Sequence, residues 1–164
     1  MQKFIIIFLV GMSIFSHAQE YRKQDNVQWL KHKLNFVCVK QMQIIATAMM
    51  KYHTKNGTFP SKPSDLKGYI TSPPYDNGRI AYLLFISPSD TTRFDHKGDG
   101  WSFVDKHGSY ILNIKADINN WKDVLVSEKK PFLWIDRKSY VFIGGHGLTV
   151  DEKSLKKFQQ TGKL

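Results

Sequence analysis

Cysteine is all but absent: Cys38 is the only one in 164 residues. One thiol excludes an internal disulfide framework and every zinc or iron–sulfur site built from several cysteines. Proline is scarce as well, with six in the chain and four of them between Pro60 and Pro74, so regular structure is free to form on either side of that stretch. Acidic residues are few, 14 against 24 Lys and Arg, which leaves a formal charge of +10 at pH 7. No apolar run reaches the roughly 20 residues that a bilayer-spanning helix needs. There is no His-Glu-x-x-His, no Gly-x-Ser-x-Gly and no setting for a nucleophilic cysteine. Internal repeats and low-complexity segments are missing too. What is present is core material: 41% hydrophobic and 13% aromatic residues, enough for one packed domain and too much for a disordered chain.

The first residues read as an address and not as part of the fold. Lys3 supplies a positive start, Phe4 to Phe15 is almost wholly apolar, and Ser16-His17-Ala18 places small residues where a signal peptidase reads. The expected organisation is a signal peptide over 1–18, cleaved near Ala18, and a single domain over 19–164. The domain is then periplasmic or secreted and carries no permanent membrane anchor; an uncleaved anchor is the alternative. In an oxidising compartment an unpaired Cys38 suits a buried position.

From Asn26 the apolar residues Val27, Leu30, Leu34, Val37, Cys38, Met42, Ile45, Met49 and Tyr52 recur at steps of three and four, which predicts one helix capped by Asp25 or Asn26 and ended at Asn56-Gly57. Its second half, from Phe36 to Tyr52, is the more apolar and is expected to carry the packing. Ser61 to Pro74 predicts an irregular loop with a turn near Ser64-Asp65-Leu66. Short β-branched and aromatic runs follow: Arg79–Ile86, Trp101–Val104, Ser109–Ile114, Phe132–Ile135 and Tyr140–Ile143. Each is expected to be a strand, with hairpins at 105–108 and 136–139. Asp117–Val126 is expected to be a short helix turning Ile118, Trp121 and Leu125 to the sheet, and Asp151–Gln160 a last helix with Leu155 and Phe158 inward. The layout is α+β: a long N-terminal helix packed on a four- or five-stranded antiparallel sheet.

Cys38-Val39-Lys40-Gln41, followed by Ile45, Ala48, Tyr52-His53 and Gly57-Thr58-Phe59-Pro60, resembles the start of the globular head of type II secretion pseudopilins and related prepilin-like bacterial proteins. Tyr140 to Val150 looks like a degraded form of their terminal strand, turn and strand, so the resemblance spans about 38–150. The physical content of the first motif is architectural. Tyr52 ends the apolar stripe, Gly57 breaks the helix, Phe59 packs back on the helix end and Pro60 stiffens the exit. The resemblance implies a pseudopilin-like fold and a noncatalytic structural or interaction role, with a protein partner in the envelope or secretion apparatus. The family's Gly-Phe leader junction, its Glu five residues into the mature chain and its long apolar stalk are not matched here. The chain reads as a secreted relative that keeps the head without the stalk.

Candidate chemistry is sparse. Asp95, Asp99 and Gly100 fall at the first, fifth and sixth positions of a calcium loop. Lys97, however, stands at the third, where an oxygen donor belongs, and Lys106 where a bidentate Glu belongs. Calcium or another divalent ion could be held only in a nonstandard way, and a polar turn leading into Trp101 is the simpler reading. His96, His107, Asp105 and His146, the last in Gly144-Gly145-His146-Gly147, support an alternative: a small secreted metal-dependent or His-based hydrolase, nuclease-like, acting on an anionic polymer. His96 and His107 are eleven residues apart, which across a strand places them at opposite ends of a sheet. The net charge, +9 once Lys3 is removed, biases the surface toward anionic polymers without a nucleic-acid-binding pattern.

Overall fold

The computed structural model describes residues 2–76, 80–88, 90, 99–130 and 137–164, with side chains described among these from residue 28 onward apart from residue 31. The chain divides into two units, Met1–Leu34 and Asn35–Leu164. The first is helical. It belongs to α1, Gln2–Asn56, so Asp25 and Asn26, expected to cap a helix start, lie within helical backbone instead. Trp29 and Leu30 on this stretch are exposed, and Lys33 sets its ammonium 4.3 Å from the Trp29 ring.

The second unit is α+β. After α1 come 3-10 turns at Pro63–Leu66 and Ala81–Phe85, then α2 (Gly100–His107), β1 (Tyr110–Leu112), β2 (Val124–Glu128), β3 (Lys138–Phe142), β4 (Gly147–Val150) and α3 (Glu152–Thr161). The four described strands form one antiparallel meander in the order β1-β2-β3-β4. On one face, Met42, Ile45 and Met49 of α1 pack with Leu66, Leu84, Phe85, Trp101 and Val104 against Leu125, Val126 and Val141 of the sheet. On the other, Phe158 and Leu155 of α3 cover Tyr140, Phe142, Leu148 and Val150. The sheet therefore lies between two helical layers. The alternation of strand side chains makes this possible, because Tyr140 and Val141 necessarily point to opposite faces.

The end of α1 follows from its sequence. Gly57 adopts φ +73° and its N–H closes on the carbonyl of His53 at 2.8 Å, the left-handed exit that a side chain would strain. Phe59 then folds back on the helix end, its ring centroid 4.6 Å from that of His53. The short turn near Ser64-Asp65-Leu66 is present, organised by Asp65 Oδ2, which accepts the N–H groups of Ser61 and Lys62 and the Ser61 hydroxyl.

Three predicted elements differ. Trp101–Val104 is helix, not strand. Asp99 caps α2 by accepting the N–H groups of Trp101 and Ser102, and Trp101 and Val104, three residues apart, bury one face. The expected hairpin at 105–108 is accordingly the end of α2 and its link to β1. The described part of Arg79–Ile86 is a 3-10 turn, since a short run that is apolar on all sides has no period by which to choose strand over helix. Asp117–Val126 does not form a helix: turns precede β2, because Asn113, Asp117 and Asn120 each capture the N–H two residues ahead. Ile118 is consequently 38% exposed and Trp121 50%, the latter covering Phe158 with only part of its ring, whereas Leu125 is fully buried in the core. The predicted strand Phe132–Ile135 and Asp136 lie outside the described residues, and Lys138 and Ser139 of the expected 136–139 turn belong to β3 instead.

Candidate functional site

The titratable and polar groups that the fold gathers lie under α1, between helix and sheet. Tyr110 of β1, Glu128 of β2, Ser139 of β3 and Thr149 of β4 form a row across the strands: Tyr110 is paired with Glu128 and Ser139 with Thr149, and Glu128 reaches Ser139 through its side chain. Asn35, Cys38 and Gln41 meet this row from α1. The Tyr110 hydroxyl donates to Gln41 Oε1 at 2.9 Å. The Ser139 backbone N–H donates to Glu128 Oε2 at 2.8 Å. Asn35 Oδ1 accepts from the hydroxyls of Ser139 and Thr149 at 3.1 and 3.0 Å. Cys38 Sγ and Ser87 Oγ are 3.1 Å apart, and the Ser87 N–H donates to Ser109 Oγ, which itself donates to Asp90.

Burial dictates what these groups can do. Cys38 is fully buried, Glu128 only 3% exposed and Tyr110 4%. Burial pushes the Cys38 thiol up to about 12, with the neighbouring Glu128 carboxylate adding to the effect and the Ser87 hydrogen bond opposing it. The same burial raises Glu128 above the usual carboxylate range, opposed by its hydrogen bonds from Ser139, and raises Tyr110 well above the usual phenol range. The thiol is thus neutral and not a nucleophile at physiological pH. The layer is a set of mutually satisfied hydrogen-bonding groups, which is what a buried polar cluster needs to avoid destabilising a core.

The residues singled out from sequence take other places. Asp99 is the cap of α2: its Oδ2 accepts the Ser102 hydroxyl and N–H at 2.9 and 3.1 Å, and its Oδ1 the Trp101 N–H at 3.3 Å. The Ser102 hydroxyl, then the two amides, hold its carboxyl below the usual range. Asp95 and His96 lie outside the described residues. His107 ends α2 with its ring 5.2 Å from that of Phe103, so about two turns of helix, and not a strand, lead from Asp99 to it. Asp105 Oδ1 accepts the Ser64 N–H at 2.8 Å.

His146 stands in the β3–β4 turn with its ring stacked on Phe142, centroids 4.8 Å apart and planes 12° from parallel. Trp121 and Phe158 complete an aromatic surround at 5.4 and 5.7 Å. Its Nε2 is buried and has no hydrogen-bond partner among the described residues. Among those residues, no three His, Cys, Asp or Glu side chains are grouped so as to hold a metal ion, and no helix is long and apolar enough to cross a membrane.

No family model, curated protein or solved structure matches this chain. Of the polar layer, the sequence predicts only the burial of Cys38, and Cys38 is buried. One signal for it exists in the strand pattern. Glu128 shares the two-residue phase of the buried Val126, and Ser139 the phase of the buried Val141, so both polar residues must point the way the core residues point.

Proposed function

We propose that this protein is a noncatalytic structural or interaction protein of the cell envelope, exported by residues 1–18 and built like a pseudopilin head, its long N-terminal helix packed on the antiparallel sheet. The observation that carries this reading is the use of its chemically capable groups. Cys38, Tyr110 and Glu128 are sealed under α1 and hydrogen-bonded, and Asp99 serves as a helix cap. The Cys38-to-Pro60 motif is used architecturally, which supports the reading: it seats Cys38 beside Ser87 and Gln41 on Tyr110, ends the helix at Gly57 and folds Phe59 back. A partner in the secretion or envelope machinery fits a domain whose interior is committed to rigidity and whose surface is free for contact.

The hydrolase alternative draws no specific support from Asp99, Asp105, His107 or His146, each of which has a structural neighbour that accounts for its position. Cell fractionation with N-terminal sequencing tests the export step, with a chain beginning at Gln19 in the extracytoplasmic fraction as the expected result. Metal analysis and phosphodiester hydrolysis by the same purified chain test the role. A stoichiometric divalent ion, or hydrolysis abolished by His146→Ala, overturns the noncatalytic reading; recovery of the chain in the cytoplasm overturns the envelope assignment.

A further inference from the structure

The loop between β1 and β2 is built as a rigid object and yet shows solvent a set of large apolar side chains. Asn113 closes it, donating its N–H to Leu125 O at 2.9 Å and its Nδ2 to Val124 O at 2.8 Å. Asp123 fastens the middle, its Oδ2 accepting the Asp117 N–H at 2.9 Å and its Oδ1 the Asn120 Nδ2 at 2.7 Å. The β3–β4 turn holds the far side through Ile143 N–H to Asp123 O and Gly144 N–H to Trp121 O. A connection tied at this many points keeps its shape, so the exposure of Ile114 at 52%, Ile118 at 38% and Trp121 at 50% belongs to its surface and does not come from fraying. Ile111 of β1, the strand that leads into the loop, is 48% exposed as well.

The surroundings of these side chains indicate what they meet. Trp121 rests one part of its ring on His146 and Phe158 and leaves the rest outward. Lys122 places its ammonium 5.9 Å from that ring, Lys115 is exposed on the same loop, and Lys163 follows Gly162, where a Cβ would stand 3.9 Å from Trp121. The loop's carboxylates are engaged locally, Asp117 Oδ1 by the Asn119 N–H and Asp123 through both oxygens. Residues 117–119 are exposed in succession, which suits insertion into a soft surface. Interleaved isoleucine, a half-covered tryptophan and lysine on a chain of charge +10 are the composition that favours the interface of an anionic bilayer.

We propose that this loop is a membrane-surface anchor: Ile114, Ile118 and the outward part of Trp121 enter the headgroup region of a bilayer containing anionic lipid, and Lys115, Lys122 and Lys163 contact the headgroup phosphates. The anchor does not depend on the envelope partner proposed above. Its test is local to the loop. In the full chain, Ile118→Cys provides an exposed thiol while buried Cys38 stays unmodified, so an environment-sensitive fluorophore reports on position 118 alone. Vesicles of phosphatidylcholine with phosphatidylglycerol should raise and blue-shift its emission, and pure phosphatidylcholine vesicles should not. The same label at Thr58→Cys, an exposed site after α1, should stay silent with both. Adding Ile114→Asp, or Lys115→Glu with Lys122→Glu, to the labelled chain is expected to weaken the response about tenfold or more, with unchanged melting curves. No response at 118, an equal response at 58, or an equal response to the uncharged vesicles overturns the anchor. An emission change that grows with protein concentration in the absence of vesicles also overturns it, in favour of a second copy as the occupant.

Discussion

Replacing Glu128 separates the two things its carboxyl does, accepting a hydrogen bond and resisting ionisation. Its Oε2 takes the Ser139 N–H at 2.8 Å, and Ser139 is fully buried. Glu128→Ala leaves that amide without an acceptor, a loss of about 1–3 kcal/mol, and removes a packed methylene worth about 0.8 kcal/mol. At roughly 3 °C per kcal/mol for a domain of this size, the melting temperature is expected to fall by about 5–10 °C. Glu128→Gln keeps an acceptor oxygen and, in acid where the native carboxyl is protonated, is expected to melt within about 3 °C of wild type. The two should part as the pH rises. Burial raises Glu128 above its ordinary value, so the folded chain holds a proton that the unfolded chain has released. Wild-type stability therefore falls from the ordinary carboxyl pKa up to the raised one and then levels off, while Glu128→Gln lacks this loss. The groups facing Glu128, namely Cys38, Tyr110 and Lys138, bias the size of the effect and not its sign. Thermal melts followed by circular dichroism from about pH 4 to about pH 8 measure it. Taking the difference between wild type and Glu128→Gln cancels Asp99 and Asp151, whose lowered values act in the opposite direction. A Glu128→Gln chain as unstable in acid as Glu128→Ala, or a difference that stays constant with pH, would refute the reasoning.

Three further outcomes follow from the same geometry. Cys38 in the native chain is expected to resist a thiol reagent at neutral pH and to react with one equivalent once guanidinium unfolds it, because its thiol is buried and pushed up to about 12; rapid native labelling would show the layer to be open. Gly147→Ala sets a Cβ 2.5 Å from Val39 Cγ1, so an overpacking loss of about 1–3 kcal/mol is expected, partly restored by adding Val39→Ala, as chemical denaturation can measure. His146→Phe keeps the stack on Phe142 and removes the buried Nε2 that has no partner among the described residues, so its melting temperature should equal or exceed that of wild type. A clear drop would mean that the imidazole nitrogen is used.

What the sequence made legible and what it hid divide along one physical line. The exit of α1, β1, β3 and α3 are readable because each is decided by local terms: a left-handed glycine, short β-branched and aromatic runs between turn residues, a capping Asp151 before Leu155 and Phe158. Trp101–Val104 misled because aromatic and β-branched content suggests a strand, whereas the cap at Asp99 decides for helix. In 113–123 the competition ran the other way. Asparagine and aspartate captured the backbone that a helix would have needed, and the residues expected to face the core became the exposed set of the loop. The polar layer was hidden for a different reason: its members come from positions as far apart as 35 and 149, and no local pattern announces that they meet.

That layer solves a problem the apolar stripe cannot. Met42, Ile45 and Met49 repeat at helical spacing and are similar in bulk, so sliding α1 by one turn along the sheet would exchange one apolar contact for another at little cost. Asn35, Cys38 and Gln41 do not permit the exchange. They recur at three-residue steps, and each meets a different partner: the hydroxyl pair of β3 and β4, Ser87, and the phenol of β1. A slide of one turn would strip Asn35, Gln41, Ser139 and Tyr110 of those partners together; Gln41, Ser139 and Tyr110 are buried, so each of them left unmatched costs about 1–3 kcal/mol, and half-buried Asn35 less. Several such losses compare with the whole stability of an ordinary domain, so the polar row sets the register of helix on sheet while the apolar stripe supplies the attraction. That register also fixes the place of the β3–β4 turn, which Gln43 holds directly by donating its Nε2 to the Gly145 carbonyl at 3.0 Å, and through that turn the loop carrying Trp121.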